Sequence, residues 1–175
     1  MERGLTLFIN LLGGCAVLGS YAWGLSSHPG EGALLWGDIP ESWKPLYSFN
    51  MLPAALGYLT FTAYLLMAKP EELKFRGEGA LVLFQINYSL FLTTAAFWMP
   101  LCWIALDGNQ SWLLLPIQSV LAVTGLASIG FIYLLWNLDE PPRPRFHKAA
   151  IVGACWLALQ CAVLDAVIWP RFFHL

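Results

Sequence analysis

The chain has 175 residues, a length that suits one domain; 58% are apolar, only 11% are charged, and the net charge is −2. Soluble domains carry about 25% charged residues. This composition, with a mean hydropathy of +0.62, excludes an ordinary soluble enzyme and offers no basic surface for nucleic acid. It points instead to an all-α membrane protein whose first partner is the lipid bilayer.

Five apolar runs are long enough to cross a bilayer as helices, near 5–25, 48–68, 80–106, 112–137 and 149–169. They define a five-transmembrane-helix bundle in a single domain, 1–175. Run one has no strongly basic leader and no small-x-small cleavage site, so it reads as a retained helix. Gly13, Gly14, Gly19 and Gly24 give it a small side for close helix approach. The segment 26–47 follows, with Pro29, Pro40 and Pro45 among Trp36, Trp43 and Tyr47. Such rings sit at the headgroup level or fold over the mouth of the bundle. Run two carries Asn50 and Pro53, and a charged loop follows at 69–79. Run three holds Gln85, Asn87 and Pro100, and run four holds Pro116, Gln118, Gly125 and Gly130. A basic, proline-rich loop, 141–148, precedes run five.

Five spans put the two termini on opposite sides. Arg3, Lys69, Lys74, Arg76, Arg143, Arg145 and Lys148 share one side, against Lys44 and Arg171 on the other. The positive-inside rule places the N-terminus on the cytoplasmic-type side and the C-terminus opposite.

Run five contains one charge, Asp165. An acid within a span should face other helices or water. Ala154, Ala158, Cys161, Asp165 and Trp169 step by 4, 3, 4 and 4, which is one helical stripe. Three small residues leading to an acid and an indole read in two ways. One is a pocket wall with a polar anchor and a flat stacking surface. The other is a packing face whose aspartate bonds a neighbour, Gln118 or Asn50. Cys15, Cys102, Cys155 and Cys161 lack CxxC or zinc-finger spacing and sit in apolar runs, so they read as buried small residues. His28, His147 and His174 share no metal spacing, although His28 and His174 fall on the side where a haem or porphyrin would meet them. There is no Gly-rich phosphate loop, GxSxG or HExxH, and so no catalytic set.

Three stretches resemble the TspO family of tryptophan-rich sensory and translocator proteins. Ser42-Trp43-Lys44-Pro45, with Phe49 and Pro53, resembles the family's Trp-x-Pro-Pro approach to helix two. Ala80-Leu-Val-Leu-Phe84, with Gln85 and Asn87, resembles the start of its helix three. Trp156, Leu164-Asp165 and Ile168-Trp169 resemble the end of its helix five, where the family has asparagine in place of Asp165. The resemblance implies a five-helix bundle, often a homodimer. It would bind a flat apolar ligand, a porphyrin or sterol, in a pocket closed by the first loop. Trp43, Asn50, Gln118, Cys161, Asp165 and Trp169 are the expected ligand-binding residues. Two other readings fit the composition: a structural or assembly subunit of a larger membrane complex, and a membrane enzyme acting on lipid or sterol.

Overall fold

The computed structural model describes residues 2–175. In a bilayer every backbone N–H and C=O must be satisfied within the protein, and a helix does this within one segment. The five apolar runs are accordingly helical: α1 (Glu2–Ser27), α2 (Lys44–Met67), α3 (Leu81–Gly108), α4 (Leu114–Trp136) and α5 (Pro144–Ala158). Beyond Ala158 the α5 helix widens into a π-helical stretch, Leu159–Ile168, and tightens into a 3-10 turn, Trp169–Arg171. All five units are long and apolar enough to span a membrane. The chain is an integral, multi-pass, all-α membrane protein.

The helices run round the bundle in the order α1, α3, α4, α5, α2, with α2 returning to touch α1. One end carries the first loop, the α3–α4 turn and residues 172–175. The other carries the 69–79 loop and the α4–α5 loop. The 69–79 loop folds into a 3-10 turn and a two-residue antiparallel hairpin, β1 (Lys74–Phe75) with β2 (Glu78–Gly79). The hairpin is fastened to the α4–α5 loop, since the Asp139 amide donates to the Lys74 carbonyl at 2.8 Å.

Helix ends differ from the sequence expectation by four residues or more in two places, the starts of α5 and α2. The basic-proline loop expected at 141–148 is helical from Pro144 onward. Arg143 turns the chain in the left-handed region (φ 52°), and Pro144 then starts the helix with its φ already fixed. By the same device Pro45 opens α2 at Lys44, four residues before the expected start at 48. The cysteines divide: Cys102 and Cys161 are buried, but Cys15 and Cys155 are exposed.

Two glycines set the tightest helix contact. A Cβ on Gly57 of α2 would stand 2.2 Å from the Gly153 carbonyl oxygen of α5. Backbone meets backbone there, so only glycine fits. On α1, Gly13 and Gly24 abut Leu92 and Met99–Trp103 of α3, while Gly14 and Gly19 face open space. The expected small side of α1 is therefore half used. Most of the rest of α1 is exposed, with Thr6 and Gly24 its buried positions.

The interior forms two clusters. Towards the hairpin end, Phe61, Tyr64, Phe84, Tyr88 and Phe131 pack with leucines and alanines. The Phe131 ring centroid lies 4.8 Å from Phe61 and 4.7 Å from Tyr88. Towards the first-loop end, Leu35 and Ile39 of the loop pack with Tyr47, Trp103, Ile117, Trp169 and Phe173. The first loop, including a 3-10 turn at Gly32–Trp36, is thus part of the core.

Candidate functional site in the first-loop half of the bundle

A chain of polar side chains crosses from α2 to α5. Asn50 is 1% exposed. Its Nδ2 donates to Gln160 Oε1 at 3.1 Å, and Gln160 Nε2 donates to Asp165 Oδ1 at 2.9 Å. With Asp165 as the carboxylate, which only accepts, Gln160 turns its amide nitrogen to Asp165 and its oxygen to Asn50. Asn50 then spends its nitrogen on Gln160, and its Oδ1 is buried with no partner. Asp165 itself is only partly buried.

The π-helical turn makes this chain possible. In an α-helix, residues five apart point about 140° away from each other. In a π-helix the hydrogen bonds run from i to i+5, so residues five apart come together. Gln160 and Asp165 are such a pair.

Aromatic groups are concentrated in the same half of the bundle. Tyr47 donates its hydroxyl to the Leu164 carbonyl at 3.0 Å. The phenols of Tyr47 on α2 and Tyr21 on α1 both lie within electrostatic reach of Asp165. The Trp98 ring of α3 stands 5.6 Å from Tyr21 and 5.8 Å, edge-on, from Trp169. Trp169 stacks on Phe173 at 4.3 Å and donates its indole N–H to the Leu35 carbonyl at 2.8 Å. That bond fastens the first loop to the end of α5, as does the Asp38 amide donating to the Phe172 carbonyl at 2.8 Å. The Trp98 and Trp103 indole nitrogens are buried without partners.

Of the residues expected from sequence, Asn50, Cys161, Asp165 and Trp169 fall in this region. Ala154, Ala158, Cys161 and Trp169 of the stripe are buried, as one face requires. Asp165 bonds neither expected neighbour directly: it reaches Asn50 through Gln160, and Gln118 is exposed on α4. Trp43 is 42% exposed and meets Phe172 edge-on at 6.1 Å. The loop indole that turns inward is Trp36, edge-on to Tyr47 at 5.7 Å. Gln160 and Tyr21 were not singled out from the sequence, and Tyr47 was read as a loop aromatic and not as a site residue. The two histidines considered for haem stand apart in environment: His28 is engaged with Gly24, Trp103 and Asp107, and His174 is exposed. Among the described residues no three His, Cys, Asp or Glu side chains converge as a metal site.

A separate open groove of about 250 Å³ lies between α3 and α4, lined by Leu83, Ile86, Asn87, Gly130, Tyr133 and Leu134. Asn87 spends its amide on the Ala127 carbonyl there, at 2.8 Å. The groove is apolar and shares no residue with the polar chain.

No protein-family model matches this sequence, and neither the curated proteins nor the solved structures contain a significant match.

Proposed function

We propose that this protein is a small-ligand receptor of the bilayer, of the TspO kind. Its ligand would be a flat apolar molecule with a polar edge, a porphyrin or a sterol, held beneath the first loop between α1, α2, α3 and α5. One observation carries the reading: the Asn50–Gln160–Asp165 chain ends at a partly exposed carboxylate with the Tyr21 and Tyr47 phenols in electrostatic reach, and the Trp98 ring adjoins both Tyr21 and Trp169. The unpaired Asn50 Oδ1 and Trp98 Nε1 support it, because an unmet buried polar atom costs about 1–3 kcal/mol that a ligand could recover. The rings supply flat stacking surfaces and the carboxyl supplies orientation. The excess of basic residues at the hairpin end favours an N-terminus on the cytoplasmic-type side, with the first loop opposite.

The test is tryptophan-fluorescence quenching by a porphyrin titrated into detergent-solubilised protein. Asp165→Asn should bind as the parent does, since the amide has the same shape and can still accept from Gln160. Asp165→Leu should weaken binding by about 1–3 kcal/mol, roughly 5- to 150-fold. Superimposable curves for all three proteins would remove Asp165 from any porphyrin site.

A further inference from the structure

The C-terminus of α1 ends in the run Trp23-Gly24-Leu25-Ser26-Ser27-His28. The last carbonyls of a helix have no partner within it. His28 turns back over this end. Its Nδ1 lies 3.1 Å from the Gly24 carbonyl, and its Nε2 lies 3.2 Å from Asp107 Oδ2 at the end of α3. Both oxygens only accept. A neutral imidazole has one N–H and can satisfy one of them; an imidazolium has two and satisfies both. The ring also stacks on the Trp103 indole, with centroids 3.8 Å apart and planes 4° from parallel. A cation gains more than a neutral ring from an indole face, and more again at the negative end of a helix dipole. Gly24 makes the arrangement possible, because a Cβ there would stand 2.8 Å from Trp103 Nε1.

We infer that His28 is a proton-operated clasp: its imidazolium ties the end of α1 and the start of the first loop to α3, and loss of the proton releases that tie. The charged groups facing the ring are Asp107 on α3 and Glu31 in the loop, both acidic. From α1 it meets the Gly24 carbonyl and the edge of Trp23, and from α3 also the uncharged face of Trp103. Partial desolvation pulls the His28 pKa down. The hydrogen bonds to Gly24 and Asp107 and the charges of Asp107 and Glu31 outweigh it, so the net direction is up. The sign of the linkage follows. A folded pKa above the ordinary value of about 6.5 makes the tie complete below that value. The tie is lost as pH rises through the folded pKa. The far half of the loop is held independently, by Leu35 and Asp38 on residues 169–172. Release therefore frees residues 28–34 and leaves the loop attached at its other end. The clasp does not depend on what the bundle binds.

Imidazole ¹⁵N NMR in micelles, from about pH 5 to 9 around the ordinary histidine value, reads the proton directly. His28 should carry protons on both ring nitrogens at the acid end and lose one at a midpoint above the ordinary value. Asp107→Asn should lower that midpoint. Amide exchange in 28–34, corrected for its intrinsic pH dependence, should accelerate across the midpoint in the parent and show no such step in His28→Gln. A ring with one proton throughout the range would overturn the clasp. So would a midpoint that Asp107→Asn leaves in place, or an exchange step that survives His28→Gln.

Discussion

The two halves of the bundle interior are built from the same apolar residue types and treat their polar atoms differently. Towards the hairpin end, Tyr88 and Thr62 share a hydrogen bond at 2.7 Å and Tyr58 donates to Asn10. His147 bonds the Leu135 carbonyl at 2.8 Å. Tyr64 is that half's unpaired buried side chain, whereas the first-loop half holds Asn50 Oδ1, Trp98 Nε1 and Trp103 Nε1. The hairpin half is thus close to closed chemically, and its rings hold the helices at fixed spacings. The first-loop half leaves more of its buried polar atoms unpaired and also holds a partly exposed acid. A buried polar atom without a partner works against stability, so the proposed ligand site falls at the end that carries more of them.

The comparison breaks most visibly at Phe131. Truncation by Phe131→Ala removes the ring that touches Phe61, Tyr88 and Phe91. It should cost about 3–5 kcal/mol, read as a lower unfolding midpoint in detergent titration. A loss under 1 kcal/mol would mean that the hairpin half is not the supporting one. Trp169→Phe keeps the stack on Phe173 but strips the donor from the Leu35 carbonyl. A cost of about 1–3 kcal/mol is expected, with amide exchange in 32–39 faster and that in 84–92 unchanged. Equal acceleration in both segments would show that the halves are not separable. Gln118→Leu is the smallest change. Its side chain is exposed and outside the Asp165 hydrogen-bond chain, so stability should move by less than about 0.5 kcal/mol and porphyrin quenching should not move at all. A weakened ligand curve would bring Gln118 back into the site.

How far the sequence went can be judged residue by residue. The five spans were legible because twenty-odd apolar residues in a row have few other solutions in water or lipid. Asp165 was legible because one acid stands out in such a run. Gln160 was not, although it is the residue that Asp165 bonds. Read at 100° per residue, Gln160 lies off the Asp165 face, and only the π-helical turn carries it back. Nothing in Leu159–Ile168 announces that turn. It coincides with the place where Ala162, Cys161 and Ala166 crowd onto Gly125 of α4, a long-range contact that local spacing does not encode. The early start of α5 was obscured by composition: Arg, His and Lys between prolines resemble a loop, and Pro144 in fact begins the helix. Of the loop tryptophans the sequence reading chose Trp43 for the site, whereas the turn at Gly32–Trp36, which turns Trp36 inward, left no mark in the sequence.

The indole of Trp169 and the carbonyl of Leu35 meet across 134 positions of chain. During synthesis the first loop is complete while four helices have yet to follow, and the segment that will fasten it does not yet exist. Leu35 and Ile39 must wait at the membrane surface without the surface they will occupy. They are secured when α5 has threaded through and its widened final turns have arrived beside α2. Domains assemble as their parts emerge, and here one of the first pieces made is one of the last to be locked. A protease that reaches the first-loop side would therefore cut this loop readily in a half-inserted chain and slowly in a finished one. The state of residues 28–39 reports whether biogenesis has run to its end.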